Sequence, residues 1–125
     1  MKPTIILITL LLAATCFAAH KNTERYYQNI WCAEQSGQAE VILPDRTRCD
    51  CITATHAIEV DFAGKFYEAL GQALHYAMFT GKKAGIMLII EQETDFKYLD
   101  RLNAIVAHYG LPISVWIVVN VEGEK

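Results

Sequence analysis

Acidic residues recur where single acids are costly to bury. Asp50 stands among Arg48, Cys49, Cys51 and Ile52 in a run that reads as a strand. Glu59 and Asp61 lie two apart in the next run, alternating with Ile58, Val60 and Phe62. Successive strand side chains point to opposite faces, so the two acids share one face and the three apolar residues the other. In an antiparallel pair, facing side chains come within about 4.5–5.5 Å, which brings Asp50 and Glu59 together. Carboxylates that close repel unless a proton or a cation sits between them. Their hard oxygens suit Mg²⁺ or Mn²⁺, ions that activate water and stabilise charge on a phosphate in transfer.

A second group follows on a helix. Lys65, Glu68, Gln72 and Tyr76 are spaced by three, four and four residues, which places them in one stripe. Such a stripe is either a solvated face or the wall of a site. The acids also admit two readings. Glu40 reads as a solvated residue beside the Gly37 turn, and Asp50 as the partner of Arg46 or Arg48. Glu59 is harder to place in that way, because a carboxylate in a central strand needs a partner or a metal. His20, His56, His75 and His108 form no His-Glu-x-x-His zinc signature, and no Gly-x-Ser-x-Gly elbow occurs.

The elements that must position these groups are legible as period changes. Thr23 is a plausible cap for a helix over 23–35. Three short strands, 39–43, 48–53 and 57–62, follow with connections short enough for an antiparallel meander. A helix over 65–79 closes at Gly81, and a nearly all-apolar strand over 86–90 is expected to be covered on both faces. A helix from Asp95 to about Tyr109 stops at Gly110, and residues 113–119 form the last strand. The order α-β-β-β-α-β-α-β predicts an α/β domain with a mixed sheet flanked by helices.

Residues 1–18 read as a cleavable signal peptide: Lys2, then an apolar run too short to span a bilayer, then small residues. The remaining 19–125 is expected to be a single exported domain, periplasmic or secreted, with no membrane attachment after cleavage. The formal net charge is −3, one unit more negative without Lys2. That balance counts against nucleic-acid binding unless the basic residues Arg46, Arg48, Lys82, Lys83, Lys97 and Arg101 gather locally. Cys32, Cys49 and Cys51 outlast the leader. Cys49 and Cys51, two apart on a strand, are expected on one side, so Cys32 with Cys51, or with Cys49, is the sensible disulfide.

Taken together, Glu40, Asp50, Glu59, Asp61 and the Gln-x-x-x-Tyr of Gln72 and Tyr76 form a pattern similar to the PD-(D/E)XK, restriction-endonuclease-like nucleases. The resemblance runs from about Glu24 to Ile90. It implies an αβββαβ core carrying an added C-terminal helix and strand. It further implies Asp50, Glu59 and the Val60 carbonyl as ligands of Mg²⁺ or Mn²⁺, with Glu40 acting through a bound water. Lys65 would replace the lysine usually found two residues after the second acid, where this chain has Asp61. Gln72 would orient that lysine or the substrate, and Glu68, Asp61 and Tyr76 would support the site. The function implied is metal-dependent hydrolysis of phosphodiester bonds in DNA or RNA. The alternative is a catalytically inactive nuclease fold with a binding or structural role, for which the Asp61 departure speaks.

Overall fold

The computed structural model describes residues 19–122, so the leader assigned to 1–18 lies outside the described residues. Thr23 caps the first helix, α1 (Glu24–Glu34), its Oγ1 accepting the Tyr26 N–H. Three strands, β1 (Gln38–Ile42), β2 (Arg48–Ile52) and β3 (His56–Phe62), then run antiparallel in sequence. After a 3₁₀ turn, Ala63–Lys65, α2 (Phe66–Thr80) carries the chain back to β4 (Lys83–Ile90), which lies parallel to β3. A second crossover, α3 (Phe96–Tyr109), leads to β5 (Ile113–Val119), parallel to β4. Gly81 and Gly110 end the two crossover helices at φ +70° and +59°, backbone that L side chains resist. The sheet order is β1-β2-β3-β4-β5, a mixed α/β architecture in the predicted order of elements.

β4 explains why the sheet has two covered faces. Met87 and Ile89 pack with Tyr27, Trp31, Cys32, Ile58 and Val60 on the α1 side. Ile86, Leu88 and Ile90 pack with Phe66, Ala69, Ala73 and Leu102 from α2 and α3. A strand buried on both faces carries no polar alternation, as its composition required. The strand begins at Lys83, three residues before the apolar run suggested, because ladder pairing extends past the hydrophobic stretch.

The cysteines correct one expectation. Cys51 packs on the α1 side and is bonded to Cys32, with 5.8 Å between the Cα atoms. Cys49 instead lies with Leu43, Ala57 and Tyr76 on the α2 side. The regular alternation of β2 is therefore broken at Asp50, between them. Gly37 makes room for the bridge: a Cβ there would fall 2.6 Å from Cys51 Sγ and 2.8 Å from Cys32 Sγ. Such bonds persist in oxidising compartments, in keeping with export. No helix among the described residues is long and apolar enough to cross a membrane.

The segment entering α1 is also tied down. Glu91, just after β4, accepts the His20 Nδ1–H (2.8 Å), the Lys21 N–H (3.0 Å) and the Tyr27 hydroxyl (2.7 Å). His20 stacks on Phe62 at 3.5 Å. Burial works against the Glu91 charge, but the Tyr27 and His20 contacts outweigh it and hold the carboxyl below its ordinary value.

Candidate functional site

The β2–β3 ladder is short. Cα partners are Cys51 with Ile58 and Ile52 with Ala57, and beyond them the strands part. The Asp50 carboxylate bridges the parting, its Oδ2 accepting the Val60 N–H at 2.8 Å. The Asp50 carbonyl meanwhile accepts the side-chain amide of Gln28 from α1 at 2.9 Å. Across β1, Glu40 sits in left-handed backbone at φ +57°. An extended residue turns its N–H and C=O to the same side, so the Val60 carbonyl is also directed at this opening.

Into the opening project the carboxyls of β3. Glu59 is 6% exposed and Asp61 4%. Glu59 and Asp50 lie within hydrogen-bonding reach of each other, as do Asp61 and Glu24 from the first turn of α1. Glu59 Oε2 is buried and finds no donor. Burial raises all three strand acids, and neighbouring negative charge adds to it. Glu59 is pushed furthest, with Asp50 and Asp61 acting on it. Asp61 rises to about 7 against Glu24, with Lys65 pulling the other way. Asp50 rises in spite of its Val60 hydrogen bond. Groups held this far from their ordinary values cluster at functional sites.

Only the two ends of the helical stripe, Lys65 and Tyr76, border the same place. Lys65 is exposed, yet near enough for its charge to stabilise ionised Asp61. Tyr76 is buried under α2, and burial with the Glu59 and Asp50 charges raises its hydroxyl. Glu68 and Gln72, between these two, are solvent-exposed and make no hydrogen bond among the described residues. Asp61 accepts its neighbour's N–H, from Phe62 at 3.0 Å, and does not cap α2, whose N-cap is Lys65 with no side-chain bond.

Glu40 lies to one side. It pairs with Arg25 Nη2 at 3.2 Å and with Arg48 Nε, and accepts Gln28 Nε2 at 3.0 Å. Arg48 thus answers Glu40 and not Asp50. Several basic residues are similarly engaged: Lys82 Nζ donates to the Thr53 and Ala54 carbonyls, and Lys97 and Arg101 lie over the Tyr98 ring. Cys49, its thiol pushed to about 11 by burial, is a packing residue.

Glu24 was not among the residues singled out from the sequence. A first-turn glutamate is ordinary, since it complements the helix dipole. The signal that would have found it is its spacing: Glu24, Gln28 and Cys32 recur every fourth residue, and two of the three touch Asp50 or its neighbour.

The donor set is hard oxygen, it is mutually repelling, and one buried oxygen lacks a partner. That is the condition a hard divalent cation relieves. Among the described residues, however, no three His, Cys, Asp or Glu side chains are arranged to hold a metal ion as they stand. No family model, curated protein or solved structure matches the chain.

Proposed function

We propose that this protein is an exported, divalent-metal-dependent nuclease of the restriction-endonuclease-like kind, hydrolysing phosphodiester bonds of DNA or RNA. The observation that carries the reading is the buried Glu59, one oxygen without a donor, beside Asp50 at the gap between β2 and β3. Asp50, Glu59 and the Val60 carbonyl are the groups that would hold Mg²⁺ or Mn²⁺, with Glu24 and Asp61 alongside. When bound, such an ion supplies a polarised phosphate and a more acidic water.

The chain's own residues do the rest. Val60 N–H fixes the Asp50 carboxylate, leaving its second oxygen for the site. Lys65, on an exposed turn beside Asp61, offers its ammonium to the negative charge that grows on phosphate. Gln72, one turn before Tyr76 on α2 and exposed to solvent, is the residue that would orient substrate on this reading. Tyr76 fills the floor beneath Glu59 and Asp50.

A second reading keeps the fold without the chemistry. It is favoured by Asp61 standing where such nucleases carry lysine, and by the engagement of Arg48, Lys82, Lys97 and Arg101 within the protein. Incubation with single- and double-stranded DNA and with RNA, in Mg²⁺, Mn²⁺ or EDTA, separates the two. Cleavage that needs the metal and disappears in Glu59→Gln supports the enzyme. Intact substrate under every metal condition supports the binding protein.

A further inference from the structure

At the His56 end of β3 the sheet carries a second group of side chains fit for chemistry. His56 opens β3 and meets Ser114 of β5 across β4. Its Nε2 lies 2.9 Å from Ser114 Oγ, and its Nδ1 lies 2.7 Å from Thr55 Oγ1. The tautomer that donates Nδ1–H to Thr55 leaves Nε2 a lone pair for the serine hydroxyl. The turn that holds His56 is pinned on several sides. Thr53 Oγ1 accepts the His56 N–H at 3.0 Å, and Lys82 Nζ donates to the Thr53 and Ala54 carbonyls. The Lys83 N–H donates to the Thr55 carbonyl. Burial, and then the Lys83 charge, hold the imidazole below its ordinary value, so near neutral pH it is an uncharged base. Beside the pair is a cavity of about 240 Å³, lined by Trp31, Ile58 and Trp116 together with His56, Thr53 and Gln35. The Trp116 ring meets Trp31 at 5.5 Å and the His56 ring edge-on at 5.1 Å. Gly85 makes room for that ring: a Cβ there would fall 2.7 Å from it.

We infer that Ser114 is a nucleophile activated by His56, and that the pair hydrolyses small aryl esters held in the tryptophan-lined cavity. A nucleophile bonded to a base, with the base held by a third group, is the arrangement that acyl transfer uses. Ser114 Oγ adds to the ester carbonyl and passes its proton to His56 Nε2. The bond from the carbonyl carbon to the aryl oxygen then breaks, and the departing oxygen takes that proton from His56. Solvent water completes the cycle: it gives a proton to Nε2 and adds to the acyl carbon. Ser114 Oγ leaves with the same proton, and a carboxylic acid is released. Gln35, whose side chain forms no hydrogen bond among the described residues, offers the cavity an amide donor for the carbonyl oxygen as it gains charge. The substrate class follows from size, walls and leaving group. The cavity is smaller than the roughly 300–1,000 Å³ of pockets for drug-sized ligands. Its indole walls suit an aromatic ring, and a phenoxide leaves without the strong acid that an amine requires. Trp116 packs on the α1-side core, and Ser114, two residues before it, shares its face. Glu59 lies on the opposite face beside Tyr76, so this reading stands or falls apart from the nuclease one.

Two measurements on the exported chain test this: turnover of phenyl acetate and p-nitrophenyl acetate, and labelling by a fluorophosphonate located by peptide mass spectrometry. The expected result is a label on Ser114 and ester turnover that EDTA leaves unchanged. Ser114→Ala and His56→Gln, both keeping the native circular dichroism spectrum, lose turnover by at least about a hundredfold, the scale of general-base catalysis. Thr55 is a positioning residue: Thr55→Val lowers kcat and leaves KM, and Thr55→Ser regains the rate. Failure of that rescue overturns the role of Thr55. A native chain that takes no label at Ser114 overturns the inference, whatever the variants do. So does turnover that survives Ser114→Ala, or turnover that EDTA abolishes, which would assign it to the acidic site.

Discussion

The Asp50 carboxylate accepts the Val60 backbone N–H at 2.8 Å, so a side chain of β2 stands where the ladder would put a carbonyl. Asparagine can accept the same bond through its amide oxygen. Asp50→Asn should therefore keep the fold, with a melting temperature near that of the native chain. It should lose metal-dependent cleavage by at least about a hundredfold, the scale of an electrostatic group in a transition state. Parallel thermal melts and nuclease assays check both halves.

Asp50, Glu59 and Asp61 all have folded pKa values above the unfolded ones. The folded state thus holds more protons, and its stability is greatest below the ordinary carboxylate range. It is lost as pH rises through about 6 for Asp50 and about 7 for Asp61, and through the still higher value of Glu59. Denaturant midpoints measured from pH 4 to pH 9 without metal should fall steadily. Glu59→Gln should flatten that slope and raise stability at pH 8 by at least about 1 kcal/mol.

If a divalent cation is what the acids await, adding it should reverse the alkaline loss. Mg²⁺ or Mn²⁺ at a hundred times its dissociation constant should add about 2.7 kcal/mol at pH 8. EDTA should remove the gain, and Glu59→Gln should not show it. Calorimetric melts give the comparison directly, whether or not any substrate is cleaved.

The Cys32–Cys51 bridge spans a sequence separation of 19 residues. Replacing both cysteines with serine should cost about 3 kcal/mol, as expected for a loop near that length. Gly37→Ala should be harmful in the oxidised chain, where its Cβ meets both sulfurs, and milder once the bridge is absent. Urea unfolding of the single and combined variants measures the coupling.

Much of the fold is legible in residue order because each boundary has a local cause: Thr23 before α1, Gly81 after α2, Gly110 after α3, and the alternation Ile58-Glu59-Val60-Asp61 in β3. Asp50, Glu59 and Tyr76 do come together, since strand and helix periods carry that information. The opposed faces of Cys49 and Cys51 do not follow from period, because the break at Asp50 depends on Gln28 and Val60 claiming its carbonyl and carboxylate. Glu24 was hidden for a related reason. Its importance arises from where α1 lies on the sheet, and propensity contains nothing about that placement. The role of Glu91 in anchoring His20 and Lys21 is likewise long-range.

Along the backbone, Glu24 and Asp50 are far apart. Through the sulfurs the route is short: two turns of helix to Cys32, across to Cys51, and one residue back. Once that link has formed, the chain path between these two acids is much shorter than the backbone alone provides. Their meeting then closes a smaller loop, so refolding from the oxidised state gives up less chain entropy in bringing the acids together than refolding from the reduced state.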